Sequence, residues 1–166
     1  MTAVRFYLDT NILISAFENN DSVAKKLLEL FSLNENAKSH FLTTSEMTLA
    51  EVMVDPLRKR NERLIDLYDN LTIGNALIHV GTVSREVLWS AAVLRAEHSA
   101  LRLPDAIHLA TAMLFGCSYF LTADSRLRDT YSVAPNLLAR LKADARIAVV
   151  RPELAVLEKL IREVAG

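Results

Sequence analysis

Cysteine is almost missing: Cys117 is the only one in 166 residues, which excludes an internal disulfide framework and a thiolate-rich zinc motif. Its apolar setting predicts a buried thiol. Glycine and proline number four each, and no Gly/Ser-rich linker, low-complexity tract or internal repeat is present. No apolar run approaches the roughly 20 residues of a membrane-spanning helix, and the N-terminal residues lack the basic segment and cleavage site of a signal peptide. Neither charge sign dominates, with 19 Lys and Arg against 20 Asp and Glu. That argues against a polyanion binder working by bulk positive charge and leaves only a local basic patch. What remains is an apolar content of 51%, ample for a real core. The expectation is a soluble cytoplasmic protein with one domain over residues 1–166, in which 151–166 form a C-terminal helix.

Short runs rich in β-branched and aromatic residues predict strands at 4–8, 41–43, 77–80, 119–122 and 147–150. Their continuous apolar character fits strands covered on both faces. Helical periodicity fills the intervals, at 12–17, 22–33, 48–54, 56–71, 84–98, 104–115, part of 136–142, and 152–164. Strand alternating with helix predicts a three-layer α/β architecture around a mainly parallel sheet.

On that layout four acids fall at comparable places. Asp9 follows the first strand, Glu51 lies a few residues after the second, Asp105 sits in the first turn of a helix, and Asp124 follows the fourth strand. In an open parallel sheet all strands end on one edge, and ligands bind outside those carboxyl ends. Each acid also has a local explanation. Asp9 and Asp124 fit helix N-caps, Thr48 to Glu51 reads as a capping box, and Asp105 beside Pro104 suits a positive helix end. Convergence of all four is what caps do not require. Four carboxylates on one rim repel each other unless a cation neutralises them, and an all-oxygen set suits Mg²⁺ or Mn²⁺ better than Zn²⁺. The four histidines show no ligand-like pairing; His108, one turn after Asp105, reads as a packing or hydrogen-bonding residue near the rim.

The blocks "YLDTNILI", Ser45-x-x-Thr48-x-x-Glu51, "LPDAIHLATA" and "FLTAD", in this order, resemble the PIN-domain ribonucleases, and among them the VapC-type toxins of toxin–antitoxin modules. The resemblance implies an α/β/α sandwich and a metal-dependent endoribonuclease that leaves a 5′-phosphate and a 3′-hydroxyl. It implies Asp9, Glu51, Asp105 and Asp124 as catalytic metal-binding acids for Mg²⁺ or Mn²⁺, with Asn11 and Thr122 as polar neighbours. It also implies an RNA substrate and an antitoxin partner. The acid set is complete, unlike that of a degraded member. The chain is longer than the compact toxins, chiefly around 125–146 and at its C-terminus.

Basic residues for gripping RNA are present at Arg58, Lys59, Arg60 and Arg63, where the simpler reading is a solvated helix face. Arg126, two residues after Asp124, is the better candidate for RNA contact. The apolar residues Leu27, Leu28, Leu30 and Phe31 are expected to pack in the core, with an antitoxin groove or homodimer contact as the alternative. Two other functions stay open. One is a non-catalytic PIN-like RNA-binding or interaction module. The other is a phosphatase with Asp9 as nucleophile, which the Asn at position 11 and the lack of a matching strand-end lysine disfavour.

Overall fold

The computed structural model describes residues 4–73, 77–133 and 146–165. Its elements run β1 (Phe6–Leu8), α1 (Thr10–Glu18), α2 (Ser22–Glu35), β2 (Leu42–Ser45), α3 (Glu46–Val52), α4 (Val54–Lys59) and α5 (Glu62–Thr72). They continue with β3 (His79–Gly81), α6 (Arg85–Glu97), α7 (Leu103–Leu114), β4 (Tyr119–Leu121), β5 (Thr130–Ser132), β6 (Arg146–Val150) and α8 (Leu154–Ala165). The six strands form one sheet in the order β3-β2-β1-β4-β6-β5. All neighbours are parallel except β5, which runs antiparallel along β6.

Side-chain alternation along the strands divides the core. Tyr7, Phe120, Ile147 and Val149 face α6 and α7, whereas Phe6, Leu8, Leu42 and Leu121 face α1, α2 and α8. The result is the expected α/β/α sandwich. A smaller apolar cluster joins Val52 of α3 to Leu64, Tyr68 and Leu71 of α5. The small residues Ala106, Ala110 and Ala112 let α7 lie close on the sheet, each without exposed surface. Gly81 serves the same approach, since a Cβ there would stand 2.6 Å from the Phe115 ring and 2.8 Å from Thr111 Cγ2. Among the described residues no helix is long and apolar enough to cross a membrane.

Chain order reverses at β1, which leads one way to β2 and the other to β4. In this class of sheet such a switch point opens the crevice that ligands use. Register aligns the strand ends there: Phe6 pairs with both Leu42 and Tyr119, and Leu8 with Leu121.

Several expectations change. The helix expected at 56–71 is broken into α4 and α5, because Arg60 takes a left-handed conformation with φ 52° and Asn61 starts a new helix by accepting from Leu64 N at 3.3 Å. β5 was not expected; it is a three-residue edge strand, too short for an alternation signal. The helix expected within 136–142 falls outside the described residues. Leu27, Leu30 and Phe31 are buried in the core, with Leu28 left exposed.

Asn34 is fully buried at the end of α2, where its Oδ1 accepts from Phe41 N at 2.6 Å and Leu42 N at 2.9 Å. Asn34→Ala orphans both buried amides and is expected to cost about 1–3 kcal/mol for each donor left without a partner. A urea unfolding midpoint equal to that of the parent chain would count against this brace.

Candidate active site

Asp9 extends β1 beyond its last assigned residue, its N–H donating to Leu121 O at 3.0 Å, and its side chain caps α1. The carboxylate is nearly buried and both its oxygens are engaged. Oδ1 accepts from Thr10 N at 2.8 Å, while Oδ2 accepts from Asn11 Nδ2 and Thr122 Oγ1, each at 2.6 Å. Asn11 also ties the two strand ends together, as its Oδ1 accepts from Ala123 N at 2.8 Å. Thr122 Oγ1 in turn accepts from Asp124 N at 3.0 Å. Asn11 and Thr122 thus lie beside Asp9, as the family resemblance implied.

Glu51 arrives from α3. Thr44 Oγ1 donates to Leu8 O at 2.9 Å and contacts Thr48 Oγ1 at 2.7 Å, so Thr48 is the donor in that second bond. These buried bonds pin α3 to the end of β1. The capping-box reading of Thr48 and Glu51 is overturned: Ser45 is the N-cap, its Oγ accepting from Met47 N at 3.2 Å. Glu51 therefore falls in the last turn of α3 and is free to reach the rim. Its Oε2 accepts from Thr10 Oγ1 and from His108 Nε2, the latter at 2.8 Å. Burial alone would raise the Glu51 pKa, but the bonds from His108 and Thr10 outweigh it and hold the carboxyl below its ordinary value. Behind His108, its Nδ1 meets the Tyr7 hydroxyl at 2.7 Å.

Asp105 occupies the first turn of α7, as expected from Pro104 beside it. Partial burial, then the charges of Asp9 and Asp124, push its carboxyl above the usual range. Asp124 goes the opposite way. The Arg126 guanidinium grips it as a fork, with Nε 2.9 Å from Oδ1 and 3.0 Å from Oδ2 and Nη2 also on Oδ2, and its pKa falls to about 2. The cap expected of Asp124 is a local turn instead, Oδ1 accepting from Arg126 N at 2.9 Å, with β5 rather than a helix next among the described elements. Arg126→Ala should let the Asp124 carboxyl return toward about 3.9, readable in a ¹³C carboxyl titration; an unmoved titration would rule out the fork as the cause.

The four predicted acids do meet at one edge, though unequally. Ligand atoms of Asp9, Glu51 and His108 lie within 4.8 Å of one another. Asp105 and Asp124 stand outside that tight group but are close enough for their charges to be felt. Sequence reasoning passed over Thr10 and Tyr7 and gave His108 only a place near the rim. The spacing of Asp105 and His108, three apart on one helix face, was the available signal. Beside Asp105 opens a cleft of about 200 Å³ lined by His98, Arg102, Arg126, Arg128 and Tyr131. A larger cleft, about 640 Å³, lies at the other end of the sheet around Arg5, His40 and His79, away from the acids.

Similar folds occur in solved toxin–antitoxin structures. A toxin–antitoxin complex from Klebsiella pneumoniae shares 25% identity, with 89% of this chain and 97% of that chain covered and a TM-score of 0.54. DNA-bound VapBC from Salmonella typhimurium shares the fold at 17% identity, with 90% and 99% covered and a TM-score of 0.59. VapC20 of Mycobacterium tuberculosis, titled a sarcin-ricin loop cleaving toxin, shares it at 18% identity, with 69% and 86% covered and a TM-score of 0.52. No curated protein matches significantly. The PIN domain family model matches residues 6–133, spanning the strands and helices that carry all four acids, and this chain belongs to that family.

Proposed function

We propose that this chain is a divalent-metal-dependent endoribonuclease and the toxin of a toxin–antitoxin pair. One observation carries the reading: Asp9, Glu51, Asp105 and Asp124, from separate parts of the chain, gather at the switch point of the sheet, where burial and the charges of Asp9 and Asp124 raise the Asp105 carboxyl. A cation relieves that repulsion. The donor set fits a hard ion, because both His108 nitrogens are already committed to Tyr7 and Glu51 and carboxylate oxygens are what remain. Asp9, Asp105, Asp124 and Glu51 would hold Mg²⁺ or Mn²⁺. Once bound, such an ion offsets the phosphodiester's negative charge and makes water a better nucleophile at neutral pH.

The chain's own groups do the rest. Asn11, Thr122 and the Thr10 amide fix the Asp9 carboxylate through three hydrogen bonds. Glu51 takes both its side-chain donors on Oε2, so Oε1 is left to orient the attacking water. Arg126 is committed to Asp124 and becomes available to an RNA phosphate when that carboxylate is otherwise neutralised. Arg102 and Arg128 line the same cleft and extend the track for the RNA backbone. Removing a phosphate contact should flatten the salt dependence of RNA binding by about one unit of slope.

The toxin role draws on the likeness to the Klebsiella pneumoniae toxin–antitoxin complex. Exposed Ile14, Leu49, Val54 and Leu57 on α1, α3 and α4 offer apolar surface to an antitoxin or to a second copy of the chain. The deciding experiment incubates purified protein with a panel of RNAs in Mg²⁺, Mn²⁺ or EDTA, beside a folded Asp9→Asn control. Cleavage that needs metal and Asp9 supports the nuclease. No cleavage of any RNA would leave a non-catalytic RNA-binding module as the better reading.

A further inference from the structure

Tyr7 and His108 are buried polar residues that the proposed chemistry leaves without a task. Tyr7 has no exposed surface and its ring stacks on Phe120 at 5.1 Å, so its hydroxyl is fixed by the core. His108 is 1% exposed and lies between that hydroxyl and the Glu51 carboxylate, at 2.7 Å and 2.8 Å. We infer that Tyr7 and His108 are positioning residues that aim the Glu51 carboxylate, and that His108 acts through its Nε2–H and is not a metal ligand.

The proton assignment follows from donor and acceptor chemistry. An ionised carboxylate only accepts, so the His108 nitrogen facing Glu51 must carry a proton. In a neutral ring Nδ1 is then the acceptor, and Tyr7 O–H donates to it. Turning His108 toward a metal would break one of these bonds, leaving the buried Tyr7 hydroxyl without His108 or the Glu51 carboxylate with Thr10 as its remaining side-chain donor.

Glu51 needs such a holder. Its long side chain projects from the last turn of the seven-residue helix α3 and is only partly buried, so unaided it would sample several rotamers. His108 Nε2 and Thr10 Oγ1 both donate to Oε2, which fixes the plane of the carboxylate. Partners of this kind behind a catalytic group typically matter by 10- to 100-fold.

The inference rests on the nuclease reading for what Glu51 does, but not for how Glu51 is held. Long-range ¹H–¹⁵N correlation spectra of the metal-free protein should show His108 protonated at Nε2, with an Nδ1 signal that shifts toward an unbonded nitrogen in Tyr7→Phe. Protonation at Nδ1 alone, or an Nδ1 signal indifferent to Tyr7→Phe, would overturn the relay. With RNA, His108→Leu should lower kcat by about 10- to 100-fold at unchanged KM, and His108→Gln, whose amide places a donor near the former Nε2, should recover most of the loss. A folded His108→Gln as impaired as His108→Leu would also overturn it. If the parent chain cleaves no RNA, the nuclease reading fails while the spectra still decide the relay.

Discussion

Asp9→Asn is expected to lower metal-dependent RNA cleavage by more than about a hundredfold while the chain still folds. Asn matches Asp in shape and caps helices as well, so α1 keeps its start. The loss is electrostatic and local. Asp9 accepts three hydrogen bonds over its two oxygens, whereas an amide has one accepting end and one donating end. In either orientation its NH₂ meets a donor: the Thr10 amide on one side, or Asn11 and Thr122 on the other. The expected side effect is a destabilisation of about 1–2 kcal/mol, too small to unfold a typical domain. Circular dichroism and a cleavage time course separate the two effects. A folded variant that cuts at the parental rate would remove Asp9 from the chemistry.

Asp105→Asn should move activity and stability in opposite directions. Burial, followed by the charges of Asp9 and Asp124, holds the Asp105 carboxyl above its ordinary pKa. A group with a raised folded-state pKa stabilises the fold below its unfolded value and loses that contribution as pH rises through the folded one. At neutral pH Asp105 is thus a cost to the metal-free protein. The neutral amide should raise the metal-free melting temperature by a few degrees, with the gain shrinking as pH falls through the raised folded-state pKa and gone below the ordinary carboxylate range. Cleavage should fall by more than about a hundredfold, because one charge of the cation site is gone. Added Mg²⁺ should stabilise the parent chain through linkage and the variant much less. Equal Mg²⁺-induced shifts in the two proteins would remove Asp105 from the cation site.

Much of the fold was legible because the strands are apolar on both faces and the helices carry their own punctuation. Asp9 before α1 and Pro104 in α7 mark starts that the structure keeps. The break between α4 and α5 was not legible, since Arg60 gives no hint that it adopts a left-handed turn. β5 was equally silent: its three residues are a strand only because β6 lies alongside.

The sequence by itself put Asp9 and Asp124 at strand ends, because parallel strands in one sheet deliver their ends to a common edge. Glu51 and Asp105 follow on helices at the same rim, and Asn11 and Thr122 were named only by the family resemblance. The near absence of thiols also left oxygen and imidazole as the donors available to a cation there. Only the tertiary structure decided how each acid is held. Spacing made Glu51 a capping partner of Thr48, yet Ser45, at the end of β2, took the cap and freed Glu51 for Thr10 and His108. Likewise His108 became Glu51's partner because α7 lies on the sheet beside Tyr7, 101 residues away in the chain. Contacts at that separation depend on which helix covers which strand, and local periodicity carries no record of it.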